Sequence, residues 1–178
     1  MSGRKNISFK SIKFVRDNYF IGRVTFLASK KLLDILNKGI ARELQVSIQY
    51  MWQHVQVTGI MGAVVQDTFK EIAITEMKHA EALAERLSYL NGIPETKPDP
   101  IFVGSSLREM LMQDQINEEE AIQLYKKGII VAKEEFDFVT EHLLVKILSE
   151  EEEHVDTFGR LLVGMTSPFT QPQGIDPK

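Results

Sequence analysis

The stretch SEEEEHVDTF (residues 149–158) places four glutamates directly before a histidine. Runs of charge usually cover a solvated helix face, and consecutive glutamates point around the helix, mostly into water. Within this run, however, Glu151 and His154 are three positions apart, so both lie on one helical face, one turn from each other. The stretch therefore has two interpretations, an acidic surface or part of a metal site.

A second stretch, TEMKHAEALAERL (residues 75–87), contains the same E-x-x-H spacing in Glu76 and His79. One such motif is weak evidence in a helical protein, because glutamate is common on helix surfaces. The two motifs are more informative together, since their glutamates and their histidines are each separated by 75 residues. This equal separation indicates an internal duplication.

Two further pairs of residues repeat with the same period of 75. Glu43 and Glu118 each precede an E-x-x-H motif by 33 residues, and Tyr50 and Tyr125 each follow their glutamate by seven. Seven residues are almost two helical turns, so each tyrosine is predicted on the same face as that carboxylate. The period also distinguishes Glu118 and Glu151 from the other glutamates in the acidic runs that contain them. We include both tyrosines in the candidate site.

The repeated residues supply a set of ligands that suits two metal ions. Two helix pairs related by two-fold symmetry would contribute four carboxylates and two imidazoles, as in dinuclear carboxylate bundles. The chain has no cysteine, which excludes thiolate ligands, and oxygen and imidazole ligands suit iron or manganese. Two divalent ions would also neutralise four buried carboxylates, which are costly when unpaired. The predicted ligands are Glu43, Glu76, His79, Glu118, Glu151 and His154.

Hydrophobic periodicity predicts an all-α fold with four helices. The first covers 30–57 and the second 67–92, where Asn91-Gly92 is a typical helix end. Ser106 and Glu109 have the capping-box spacing that opens a third helix, and the fourth ends near Gly164. Because the connection between the second and third helices is long and contains three prolines, we predict a four-helix bundle with one crossover.

The ends of the chain differ from its centre in composition. We predict a basic arm over 1–28 whose structure the sequence leaves open, a bundle domain over 29–164, and an extended or disordered tail over 165–178. Residues 1–31 carry eight basic side chains and one acidic, whereas the rest of the chain has a net charge of −11. An acidic body attracts cations, and a basic arm favours nucleic acid, another anionic surface or the body itself.

The expected cellular location follows from the targeting signals that the sequence lacks. No apolar run reaches the roughly 18 residues that suggest a membrane span, so no membrane partner is expected. The N-terminus also lacks the apolar segment of a secretory signal. A cytoplasmic location is the expectation.

Three segments resemble bacterioferritins, within the ferritin-like superfamily: RELQVSIQY (42–50), EMKHAEALAERLSYLNGIP (76–94) and ILSEEEEHVD (147–156). The resemblance covers about residues 32–163. It implies a ferroxidase, in which two iron ions per subunit bind as Fe(II), are oxidised by O2 or H2O2, and pass into a ferric mineral inside an oligomeric shell. It also implies that the repeated glutamates and histidines are the iron ligands, with Glu76 and Glu151 bridging.

The resemblance further concerns Met77, because bacterioferritins place a haem-ligating methionine at this position on a two-fold subunit interface. Met77 follows Glu76 by about 100° around the helix and so points away from the metal face. The alternative interpretation is an interface or core methionine. His54 has two interpretations as well, a residue lining an iron path or a structural histidine.

The sequence departs from bacterioferritins at both ends, which leaves alternatives open. No clear fifth helix follows Gly164, so shells of 12 or 24 subunits are both considered, and manganese is the alternative metal. One alternative function is a di-iron peroxide reductase resembling rubrerythrin. The other is a mini-ferritin-like protein that protects nucleic acid and binds it through the basic arm.

Overall fold

Four α-helices and no strand make up the part of the chain that the computed structural model describes, residues 28–166. The helices are α1 (Lys30–Gln56), α2 (Gly59–Tyr89), α3 (Leu107–Glu134) and α4 (Phe138–Thr166). The predicted all-α bundle, with one long crossover between the second and third helices, is confirmed. Nearly all of the basic arm and of the tail lies outside the described residues.

Local signals in the sequence explain most of the helix ends. Ser106 caps α3 by accepting a hydrogen bond from Glu109 N (3.2 Å), while the Glu109 carboxylate accepts from the backbone of Ser105 (2.8 Å), one residue earlier than the capping box predicts. At the end of α2, Asn91 has a positive φ of 64° and Gly92 N donates to Leu87 O at 2.9 Å.

The start of α2 differs from the prediction by eight residues. The helix begins at Gly59, not at residue 67. The first two turns contain Gly59 and Gly62, and glycine is a poor helix former, so the pattern did not indicate a helix there. Only the two residues Val57 and Thr58 separate α2 from α1.

The helices pack as two antiparallel pairs, α1 with α2 and α3 with α4, and α1 also packs against α3. Three clusters of buried apolar side chains fill the interior, and the two larger ones include residues of both α2 and α4. One includes Leu83 on α2 and Leu144 on α4, and the other includes Phe69 on α2 and Phe158 on α4. Along both helices the candidate ligands lie between these clusters, so the site is in the middle of the bundle.

The crossover lies along α1, which it contacts through its backbone. Asp99 N donates to Ala41 O at 2.9 Å, and the amide of Gln53 donates to Val103 O at 3.1 Å. Gln53 also donates to the buried carboxylate of Asp114 on α3 at 2.8 Å. These bonds fix the crossover against the α1–α3 side of the bundle. Within residues 28–166, no helix has an apolar stretch long enough to cross a membrane.

Candidate metal centre

All six predicted ligands meet in the middle of the bundle. Glu43 comes from α1 and Glu118 from α3, while α2 and α4 each contribute one E-x-x-H motif. The four glutamates are fully buried, and His79 and His154 are only 4% and 8% exposed. An acidic surface is therefore excluded for these six residues, although the other glutamates around Glu151 do lie at or near the surface.

Potential ligand atoms fall into two overlapping groups, and within each group they lie within 4.8 Å of one another. Both groups contain Glu76 and Glu151. The first adds Glu43 and His79, and the second adds Glu118 and His154. Two cations could thus be held side by side, with the shared carboxylates between them.

The two imidazoles face the shared carboxylates through the same ring atom. His79 Nδ1 lies 2.8 Å from Glu76 Oε2 and 3.1 Å from Glu151 Oε1. His154 Nδ1 lies 2.7 Å from Glu76 Oε1 and 3.7 Å from Glu151 Oε2. The ring centroids are 6.3 Å apart. Each half of the repeat therefore places one imidazole nitrogen against both of the shared glutamates.

The tyrosines connect the two halves of the repeat. The hydroxyl of Tyr50 on α1 donates to Glu118 on α3, and that of Tyr125 on α3 donates to Glu43 on α1. Each tyrosine thus binds the glutamate of the other half, not the one seven residues before it. Burial, followed by the charge of the bonded glutamate, raises the pKa of both tyrosines well above the ordinary value, so both hydroxyls stay protonated as donors.

The carboxylates fall into two electrostatic classes. Burial, with the charges of Glu76 and Glu151, raises the pKa of Glu43 and of Glu118 well above the ordinary value. For the two shared glutamates burial acts in the same direction, but hydrogen bonds from His154 and His79 outweigh it and lower the pKa of both. Glu76 and Glu151 are therefore ionised in the metal-free site.

The pKa of each imidazole shifts in the opposite direction to that of the two shared glutamates. Burial lowers their pKa, but hydrogen bonds to Glu151 and Glu76 outweigh it and raise the pKa of His79 to about 11 and that of His154 to about 9. At neutral pH both rings carry a positive charge. Without metal, these two imidazolium groups compensate the charges of Glu76 and Glu151.

Unpartnered atoms show that the site fits metal ions. Two buried carboxylate oxygens at the centre, Glu43 Oε2 and Glu118 Oε2, have no hydrogen-bond partner. A buried polar atom without a partner costs about 1–3 kcal/mol. Oxygen and imidazole nitrogen are the donors that iron and manganese accept, so bound cations would satisfy these atoms.

Glu150, which the sequence pattern did not indicate, contacts the site from the edge of the bundle. Its Oε2 lies 2.6 Å from Nε2 of His79, on the far side of the ring from the shared carboxylates. A carboxylate in this position typically orients a metal-ligating histidine. Because the repeat selects Glu151 and places Thr75 opposite position 150, the period gave no indication of this role.

Arg42 was missed for the same reason. It directly precedes Glu43, is only 5% exposed, and matches Asn117 in the repeat. Burial lowers its pKa, but the carboxylates of Glu118 and Glu43 outweigh burial and raise it. The buried atoms Nε and Nη2 of Arg42 have no hydrogen-bond partner. A charged guanidinium thus lies against the α1–α3 side of the centre.

Two other candidate residues lie away from the centre. His54 Nδ1 is 2.9 Å from Gln66 O, and the Gln66 amide donates to His54 O at 3.2 Å, so His54 is a structural histidine that joins α1 to α2. Met77 is 49% exposed on α2, which rules out a core methionine. Its side chain points away from the metal face, as predicted.

Comparisons with known proteins agree with this geometry. A model of the ferritin-like domain family matches residues 33–166. A bacterioferritin of Desulfovibrio desulfuricans is 36% identical over 126 residues, which cover 70% of this chain and 70% of that protein. One from Rhodobacter capsulatus is 32% identical over 128 residues, covering 71% and 79%.

Solved structures give the same result. The bacterioferritin BfrA of Mycobacterium tuberculosis superposes with a TM-score of 0.73 at 28% identity, covering 77% of this chain and 87% of that one. A structure of a mycobacterial bacterioferritin matches equally well, with 77% and 86% covered. The stretch matched by the family model contains all six candidate ligands.

Proposed function

The chain belongs to the ferritin-like family and, within it, to the bacterioferritins, and from this premise we propose that its central site is a ferroxidase centre serving iron storage. Iron storage of the ferritin type is the function that the relatives support. The observation that carries the ferroxidase proposal is the pair of overlapping ligand groups that share Glu76 and Glu151. They provide places for two Fe(II) substrates next to each other.

The residues around the centre have distinct roles in this proposal. Glu43 and His79 bind one Fe(II), Glu118 and His154 bind the other, and Glu76 with Glu151 bridges them. Tyr50 donates to Oε1 of Glu118, and Tyr125 donates to Oε1 of Glu43. These bonds leave Oε2 of each carboxylate free for metal. Because both imidazoles are protonated without metal, each must lose its Nδ1 proton before Fe(II) binds.

The oxidation balances with the oxidants expected for this family. Two Fe(II) ions give up one electron each, which with two protons reduces O2 to H2O2, or H2O2 to two water molecules. The ferric product then leaves for storage in an oligomeric assembly, for which we retain shells of 12 or 24 subunits. Manganese stays the alternative metal, and the cytoplasmic location stays a prediction.

The two alternative functions have less support. The relatives and solved structures compared above are bacterioferritins. All six candidate ligands also occur within one chain, whereas mini-ferritins of the DNA-protecting kind place the site between subunits. Binding of nucleic acid through the arm over 1–28 stays a prediction, since that segment is outside the described residues apart from its last residue.

Haem binding at Met77 is a separate proposal. Met77 is exposed, and Ile74, one turn earlier on α2, is an exposed apolar neighbour, so this surface suits a two-fold interface between subunits. Met77 would supply an axial ligand, and a bound haem would supply one-electron transfer. Replacing Met77 with leucine should then abolish the Soret absorbance of the haem-loaded protein, while Met61→Leu should preserve it.

The ferroxidase proposal can be tested by anaerobic titration with Fe(II), followed by O2, with the particle mass measured on the same sample. We expect two Fe(II) per chain and a fast oxidation phase. Glu118→Ala and His154→Ala should each slow that phase at least about tenfold. Glu119→Ala, at an exposed position next to Glu118, is the matched control. Oxidation at the wild-type rate in both site variants would contradict the proposal.

A further inference from the structure

The candidate centre is approached by two surface grooves on different sides of the bundle. The α2/α4 groove, of about 620 Å³, is lined by His79 and His154 themselves, together with Glu150 and Glu153. The α1/α3 groove, of about 740 Å³, is lined by Arg42 with Lys38, Lys127, Glu119 and Glu120. Only the α2/α4 groove is lined by candidate ligands.

The innermost charged group outside the candidate ligands differs between the two grooves. In the α1/α3 groove it is the guanidinium of Arg42, which is buried and close enough to Glu43 and Glu118 to oppose the rise in the pKa of both carboxyl groups. A cation entering from this side would have to pass a fixed positive charge that Glu120 Oε2, at 3.9 Å, compensates only weakly.

In the α2/α4 groove the innermost charged group outside the ligand set is a carboxylate. Glu150 is partly exposed, and its Oε2 is 2.6 Å from Nε2 of His79. Two lysines also line this groove, but Lys78 is exposed, and Lys146, 71% exposed in its side chain, lies 3.8 Å from Glu150 Oε1. Both can move into water when a cation arrives.

We propose that metal ions reach the centre through the α2/α4 groove, where Glu150 is the first carboxylate to bind them, and that Arg42 closes the α1/α3 groove to cations. The inference rests on the proposed function, because it concerns delivery to the same centre. Because Glu150 Oε2 lies 2.6 Å from Nε2 of His79, a cation that Glu150 holds is next to a candidate ligand. The sequence repeat offers no equivalent on the other half, where Thr75 takes this position.

Stopped-flow binding of Co(II) to the assembled protein tests the route without oxidation. Glu150→Gln should slow Co(II) association at least about tenfold, with two Co(II) per chain still bound at saturation. Glu120→Gln, in the other groove, should leave the association rate unchanged. If Glu150→Gln only accelerated dissociation, Glu150 would merely orient His79, and the proposed route would be overturned.

A matched pair of bulky substitutions adds a second test. Ser149 and Gln123 are exposed residues that line the α2/α4 and the α1/α3 groove respectively. Ser149→Phe should slow Co(II) association and Gln123→Phe should not, and the reverse result would overturn the proposal. Failure of the wild-type protein to bind two Co(II) per chain would instead contradict the ferroxidase proposal, so the two failures are distinguishable.

Discussion

Protons and metal ions would compete for the same atoms at the centre of this bundle. Nδ1 of His79 and Nδ1 of His154 face Glu76 and Glu151, and these are the atoms and carboxylates that two cations would share. In the metal-free protein the two imidazolium protons neutralise those carboxylates. Metal binding must therefore displace them.

This competition predicts proton release on metal binding. With the pKa of His79 at about 11 and that of His154 at about 9, both rings are protonated at pH 7, so binding of Zn(II) should release at least two protons per chain. The affinity for Zn(II) should weaken as the pH falls. Calorimetry in buffers of different ionisation enthalpy measures the released protons. Release of fewer than two at pH 7 would show that the imidazoles are neutral before metal arrives.

The tyrosine hydroxyls are predicted to stabilise the metal-free site. Tyr125→Phe removes the donor to Glu43 and leaves another buried carboxylate oxygen unpartnered, so we expect the free energy of unfolding to fall by about 1–3 kcal/mol. Tyr50→Phe should have a similar effect through Glu118. Urea unfolding of chelator-treated protein measures both. Glu119→Gln, at an exposed position next to Glu118, is the control and should change little.

At the scale of the helices, the start of α4 is fixed to α2 by one polar cluster. Asp137 accepts hydrogen bonds from Thr140 N at 3.1 Å and from Arg86 Nη2 at 2.5 Å, and Arg86 Nε donates to Thr140 Oγ1 at 2.6 Å. Although burial raises it, the pKa of Asp137 is lowered overall by Arg86 and Thr140. The cluster combines a helix cap with an interhelical ion pair.

We therefore predict that Asp137→Ala destabilises the protein through loss of the cap. The expected decrease is about 1–2 kcal/mol in the free energy of unfolding, because the first turn of α4 loses an acceptor. Arg86 also loses its ion-pair partner, which lowers the free energy of unfolding further. Thermal unfolding compared with Glu134→Ala, an exposed position three residues earlier, measures the difference. Equal melting temperatures for the two variants would contradict a capping role.

The helices also show which parts of the fold the sequence could reveal. The 75-residue period identified all six candidate ligands, because both helical hairpins carry the same side chains at equivalent positions. An apolar stripe at three- and four-residue spacings on α1 would include Leu33, Leu44 and Ile48, but these side chains are only partly buried, whereas Val46 and Tyr50 are fully buried. The buried face of α1 also carries polar residues, so hydrophobicity alone does not identify that face correctly.

Residues that break the repeat escaped prediction for a related reason. Arg42 and Glu150 each contact the centre, but their counterparts are Asn117 and Thr75. A sequence repeat can identify only residues that occur at equivalent positions in both halves. Side chains that serve one half have no partner in the pattern and become visible only through their contacts.

At the scale of the whole molecule, the buried charges make the stability of the metal-free protein depend on pH. A histidine with a raised pKa stabilises the folded state fully below its ordinary value of about 6.5, and this contribution is lost as the pH rises through the folded value. For His154 and His79 the folded values are about 9 and about 11. The raised pKa of Glu43 and of Glu118 acts in the same direction.

Between pH 7 and pH 10 the chelator-treated protein should therefore lose at least about 2 kcal/mol of its free energy of unfolding. Saturation with Zn(II) should remove most of this loss, because the metal replaces the imidazole protons. Calorimetric melting curves at several pH values, with and without Zn(II), measure both effects. Stability of the metal-free protein that rises from pH 7 to 10 would contradict the assigned charges.

The unequal neighbours at the two ends of the centre have a spectroscopic consequence. Glu150 contacts His79 but has no equivalent at His154, so the two cations of one chain would experience different electric fields. Iron-57 loaded at two atoms per chain should accordingly give two resolved quadrupole doublets of equal area in a Mössbauer spectrum. Exchanging Glu150 for threonine, the residue at the equivalent place in the other half, should draw the two doublets together.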